Sequence, residues 1–165
     1  AASDVYKRQA HEHGVGVLNI AIQGNELEIE LELPAENVVG FEHEARTAEE
    51  TKRVHDAAAK LKKASNIVVL PKNAACELEK AEIKSALLEN HHGHEKSKEH
   101  DDHGEHSEFA VHYLFVCAKI GLLSNLDISL FKHFPSTHKL RVQYTTPKGQ
   151  GAVKATPKSA RIKFH

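Results

Sequence analysis

The chain has 165 residues, of which 40% are hydrophobic, with 22 Lys and Arg against 23 Asp and Glu. That is enough apolar material for one core, and a formal net charge of −1 with no clustered basic patch gives no support to nucleic-acid binding. No apolar run approaches the roughly 20 residues of a membrane helix, so membrane insertion is not expected.

The first nine residues stand apart. Asp4-Val5-Tyr6-Lys7-Arg8-Gln9 reads as the in-frame translation of a transposon-end sequencing adapter. Residues 1–9 are therefore expected to be a sequence scar, with the domain spanning residues 10–165. On that reading the lack of a signal peptide carries no information.

His11-Glu12-His13-Gly14 precedes the first strand. If this stretch is extended, His11 and His13 point to one side, about 6.6 Å apart along the strand, and the register places them on the face of the glutamates that follow. Leu18, Ile20 and Ile22 alternate with polar or small residues, and Leu27, Ile29, Leu31 and Leu33 alternate with Glu26, Glu28, Glu30 and Glu32. A two-residue Gly24-Asn25 turn closes these runs into a hairpin that pairs Ile22 with Leu27, Ile20 with Ile29 and Leu18 with Leu31. All the apolar residues then share one face, and the glutamate face is wet. Phe41-Glu42-His43-Glu44 follows, with carboxylates on both sides of His43.

Thr47 to Ala64 reads as a helix. Thr47-x-x-Glu50 is a capping box, Val54, Ala57, Ala58 and Leu61 form a narrow apolar stripe, and Lys60, Lys62 and Lys63 occupy the last turns. Ile67 to Leu70 is a short apolar run ended by Pro71, and Cys76 to Lys84 is a weakly patterned strand. Phe109, Val111, Tyr113, Phe115 and Cys117 alternate on one side of a strong strand. His112 points away from them. Leu126, Ile128 and Leu130 form another strand, and Leu140, Val142 and Tyr144 a further one. After the turn signal Pro147-Lys148-Gly149, a last strand includes Ile162 and Phe164. The expected fold is α+β, a mostly antiparallel sheet with one main helix.

Between Glu89 and Glu108 the chain reads ENHHGHEKSKEHDDHGEHSE. Six of the 14 histidines (His91, His92, His94, His100, His103 and His106) fall there among seven carboxylates. Such a segment buries too little apolar surface to offset the entropy of ordering itself, so a disordered, exposed loop between two strands is expected. Imidazole is the commonest protein ligand for Zn, Cu and Ni, with carboxylates as acceptable co-ligands. The loop histidines are therefore candidate ligands, with Glu95, Asp101, Asp102 and Glu105 as co-ligands. Several weaker, exchanging ions are expected there rather than one tight cage. The bland alternative is a solvated spacer. His11, His13 and His43, with Glu42 as co-ligand, are candidates for a site of fixed geometry. His55, His133, His138 and His165 lack ligand patterning and read as surface or structural residues.

Cys76 and Cys117 are 41 positions apart, without CxxC spacing. An even pair at strand positions fits a disulfide in an oxidising compartment, and two buried free thiols are the alternative. No HExxH, GxSxG, phosphate loop or GxGxxG occurs, so an enzyme is not expected.

From Ala10 to the C-terminus the chain resembles the ZrgA family of zinc-regulated periplasmic zinc-binding proteins. The resemblance is carried by AHEHG at Ala10–Gly14, LNIAIQGNELEIELELPAENVVGFEH at Leu18–His43 and the central histidine-rich insert flanked by Cys76 and Cys117. LFKHFP at Leu130–Pro135 and TPKGQ at Thr146–Gln150 also match. It implies a lost signal peptide, residence in the periplasm, expression under zinc limitation and a role beside an ABC-type zinc importer. It also favours a Cys76–Cys117 disulfide and strengthens His11, His13 and His43, which match positionally. Glu44-Ala45-Arg46 departs from the pattern, since many relatives have a proline before the threonine, and this bears on the helix entry. The expected function is zinc capture or buffering in support of uptake. The competing readings are a pH-sensing adhesion or scaffold domain and a nickel or copper metallochaperone on the same scaffold.

Overall fold

A computed structural model describes residues 12–89 and 107–164. The adapter-like residues, His11, residues 90–106 with their six histidines and Glu95, Asp101, Asp102 and Glu105, and His165 lie outside the described residues.

Among the described residues, nine strands and four α-helices follow in chain order: β1 Val15–Gln23, β2 Glu26–Pro34, α1 Ala35–Val39, α2 Ala48–Lys62, β3 Val68–Val69, β4 Cys76–Lys84, α3 Ala86–Glu89, β5 Glu108–Cys117, β6 Asn125–Ile128, α4 Leu130–His133, β7 Lys139–Thr146, β8 Gly149–Ala155 and β9 Arg161–Lys163. One sheet has the order β4-β5-β2-β1-β7-β8 and a smaller one β3-β6-β9. The expected α+β class with one main helix holds, and the histidine-rich segment joins α3 to β5.

The β1–β2 hairpin has the register its alternation dictates: Ile22 opposite Leu27, Ile20 opposite Ile29 and Leu18 opposite Leu31. Gly24 makes the turn in the left-handed region, at φ 61°. β5 extends this pair, so that Phe109, Val111, Tyr113, Phe115 and Cys117 are buried beside Leu27, Ile29, Leu31 and Leu33. The opposite face carries Glu26, Glu28, Glu30 and Glu32, with His112 across from Glu30 and its Nε2 3.8 Å from Glu28.

The helix α2 starts as its capping box requires, the Thr47 hydroxyl accepting from the Glu50 amide at 3.0 Å. The Glu50 carboxylate accepts from the Arg46 amide at 2.8 Å, so the sequence around the family departure still makes a capped entry. That backbone bond, aided by His43, holds the Glu50 carboxyl below the ordinary glutamate range. Val54, Ala57 and Leu61 are the buried stripe and join one cluster with the sheet's inner face, Leu126, Ile128, Ile162, Phe131 and Phe134.

Cys76 lies opposite Cys117 at one end of the β4–β5 pair, and the two form a disulfide. Lys84 and Ala110 are the last pair at the other end, from which the histidine-rich segment leaves.

The sheet is mostly antiparallel, as expected, with one parallel pair: β7 runs beside β1, with Leu140 beside Gly16 and Val142 beside Leu18. Two further details depart from the sequence reading. Leu130 begins the short helix α4 instead of prolonging a strand: the Ser129 and Leu130 amides both donate to the Ile67 carbonyl, which ends the ladder there. Gly149–Ala155 is the edge strand β8, paired along β7.

Candidate metal site at the head of the sheet

Three segments meet beside the first residue of β1. The first is a turn in which the Val15 amide donates to the Glu12 carbonyl at 3.1 Å and Gly14 has φ 78°. The turn is held on several sides. The amides of His138 and Lys139 donate to the Gly14 carbonyl at 2.8 and 3.3 Å, and Arg141 donates to the Glu12 carboxylate at 2.8 Å. The second segment is α1, which follows Pro34 with Glu36 in its first turn. Its first amide, Ala35, donates to the Ser107 carbonyl at 2.9 Å. The third is the irregular stretch after Gly40, where Phe41 packs on the core and Glu42 is half-buried.

There His13, Glu36 and Glu42 each offer a donor atom, all within 4.8 Å of one another. His13 Nε2 is 3.1 Å from a Glu36 oxygen. Two carboxylates and an imidazole form a hard-to-borderline N/O donor set that suits a zinc-like dication and leaves a fourth position open. Tetrahedral bonds of about 2.0–2.1 Å put ligand atoms about 3.3 Å apart, so closure from the 4.8 Å spread needs a contraction of up to about 1.5 Å. The exposure of the His13 and Glu36 side chains, 71% and 43%, leaves them free to make it. The Glu12 charge is met by Arg141, so the attraction for a cation comes from Glu36 and Glu42.

The extended reading is thus corrected at Glu12 and His13, while His11 lies outside the described residues. His13 sits in a turn and faces α1, not the glutamate face of the sheet, because the left-handed Gly14 redirects the chain before β1 begins. Of the sequence candidates, His13 and Glu42 come together. Glu36 was missed, and its signal was Pro34-Ala35-Glu36, a proline followed by an acidic first turn as at a helix start. His43 lies outside the trio. Its ring stacks on Phe41 with centroids 4.8 Å apart, Nδ1 donates to the Glu44 carbonyl at 2.8 Å, and Nε2 is 3.8 Å from Glu50. His138, read as structural, walls the turn: a Cβ on Gly14 would collide with its imidazole. Gly14→Ala is therefore expected to destabilise the fold by about 1–2 kcal/mol from the left-handed backbone alone. It should also displace His13, seen as weaker metal binding in a titration of the folded variant.

An α+β domain with an N/O donor group at the head of its sheet is the class that fold and site define. Residues 10–164 match the family described as ZrgA family zinc uptake protein, and the chain belongs to that family. That family is one of zinc uptake proteins, not of enzymes. No curated protein matches the chain. Among the described residues no helix is long and apolar enough to cross a membrane.

Proposed function

We propose that the protein captures and buffers zinc in the periplasm and hands it to an uptake system, a component of an ABC-type importer being the expected recipient. Residues 10–165 act as one zinc-handling domain, and residues 1–9 take no part. The observation that carries this reading is the convergence of His13, Glu36 and Glu42 within 4.8 Å in a chain of a zinc uptake family.

Two kinds of site divide the work. His91, His92, His94, His100, His103 and His106, with Glu95, Asp101, Asp102 and Glu105, collect ions on the polar segment. His13, Glu36 and Glu42 hold one ion in the folded domain, and His11, two residues before His13, is placed in sequence to supply the open position. His43 Nε2 and the Glu50 carboxylate, 3.8 Å apart, offer a second, two-donor position. The pairing of the two kinds of site is supported at Ser107, the first described residue after the segment, which accepts the hydrogen bond of Ala35, the residue before Glu36. Tethering raises the effective concentration of segment-bound ions at the ordered site. Protons compete for imidazole, so the store empties as the pH falls.

The test is titration of metal-stripped protein with Zn2+ at pH 7.5. Several ions are expected to bind the parent. Replacing the six segment histidines should remove most of the count, whereas His13→Ala should remove the tightest ion. Finding no site tighter than about 100 µM would sink the proposal.

A further inference from the structure

We propose that Asn37 is the positioning residue of the His13–Glu36–Glu42 group, holding the turn that carries His13 on the helix that carries Glu36. The inference rests on the metal-binding reading above. Asn37 follows Glu36 in α1 and is 5% exposed. Its Oδ1 accepts from the Gly14 amide at 3.0 Å. One buried side chain thus links the residue after His13 to the residue after Glu36, two ligands 23 positions apart in sequence.

The side chain's own hydrogen bonding says why an amide stands there. An N–H can be met only by the carbonyl oxygen of an asparagine, so the Gly14 bond fixes the amide's orientation. Nδ2 is then buried with no hydrogen-bond partner among the described residues. Burying a donor unmet is unfavourable, so a residue selected for packing alone would be apolar. The part of Asn37 that is satisfied is the acceptor turned to Gly14.

The other side of the turn is held independently, by the His138 and Lys139 amides on the Gly14 carbonyl. Without Asn37 the turn stays attached to β7 and loses its buried tie to α1, leaving the exposed His13–Glu36 pair. The His13 side chain, 71% exposed, has little packing of its own to keep it against Glu36. Removing a group hydrogen-bonded directly to a metal ligand lowers affinity about 10–100-fold; Asn37 acts one residue further out, through the Gly14 backbone, so the low end of that span is expected.

The experiment uses the full chain with the six histidines from His91 to His106 replaced by serine, so that the ordered group alone is read. Zn2+ affinity is measured by chelator competition for this parent and for Asn37→Leu, Asn37→Asp, His13→Ala and the His13→Ala/Asn37→Leu pair, with thermal midpoints of the metal-free proteins alongside. Asn37→Leu is expected to weaken binding about tenfold or more, and Asn37→Asp, which keeps an acceptor for Gly14, to stay within about threefold of the parent. In the His13→Ala background Asn37→Leu should add no further loss, which a purely structural role would not produce. Should Asn37→Leu not fold, Asn37→Ser, too short to reach Gly14, takes its place. The proposal is overturned if His13→Ala weakens binding and Asn37→Leu does not, or if Asn37→Asp is as poor as Asn37→Leu. If His13→Ala itself changes nothing, it is the metal-site reading that fails.

Discussion

Removing the Cys76–Cys117 disulfide is expected to cost the fold about 4 kcal/mol. The bond closes a loop with a sequence separation of 41, and the chain-entropy relation gives about 4 kcal/mol for a loop of that length, within a usual span of about 2–5 kcal/mol. The loop closed is an unusual one, since it includes the polar histidine-rich segment. By composition that segment adds length to the unfolded chain's freedom and has little apolar surface to bury, so the covalent link offsets a loop-closure cost that burial of the segment would not. The bond lies at the opposite end of the pair from Lys84 and Ala110, and α1 adjoins that far end, where Ala35 bonds Ser107 just before β5, while the His13 turn is held by β7. Reduced protein, or the Cys76→Ser/Cys117→Ser variant, should therefore unfold at clearly lower denaturant concentration. While folded, it should bind zinc at the ordered site with the affinity of the oxidised protein. Denaturation with and without reductant, paired with zinc titration below the transition, reads both. Equal stability of the two redox states would contradict the expectation, as would a large loss of affinity in the folded reduced protein.

Where local pattern and tertiary demand coincide, the chain is readable. The β1–β2 register follows from alternation and Gly24-Asn25 alone, and the α2 entry follows from Thr47 and Glu50. β8 is different. Gly149–Ala155 holds small residues and no apolar alternation, and it is a strand because β7 offers a ladder from Leu140 opposite Ala155 to Thr146 opposite Gly149. The parallel β1–β7 pair joins residues more than a hundred positions apart, which no local period encodes. The metal group was half legible for the same reason. His13 and Glu42 stand in segments whose composition suggests ligands, whereas Glu36 looks like an ordinary acid in a helix's first turn until Pro34 and Gly14 bring it to the imidazole. The disulfide, favoured over two free thiols by the even pair at strand positions and further by the family resemblance, needed the register to become definite: Cys76 and Cys117 face each other only because β4 and β5 pair.

Tyr113 offers the second large effect, and it separates packing from hydrogen bonding. The residue is fully buried in β5, and its hydroxyl donates to the Leu61 carbonyl. Leu61 lies in the last turn of α2, where carbonyls lack a helical partner. The phenol thus satisfies an orphan acceptor while its ring fills the space between sheet and helix. Tyr113→Ala is expected to cost about 3–5 kcal/mol through the cavity, and Tyr113→Phe about 1 kcal/mol through the hydrogen bond alone. Burial also pushes the phenol well above the ordinary tyrosine range. The sign follows directly. The folded state holds the proton more tightly than the unfolded state, so this contribution is fully present below about pH 10, the unfolded value, and is lost as the pH rises beyond it. Urea denaturation at neutral pH and at about pH 11 should show a steeper alkaline loss for the parent than for Tyr113→Phe, which has no phenol to ionise there. Tyrosinate absorbance should rise further on unfolding in the parent than in the variant. Parallel pH dependence of the two proteins would show that the hydroxyl is not held between β5 and α2 as described.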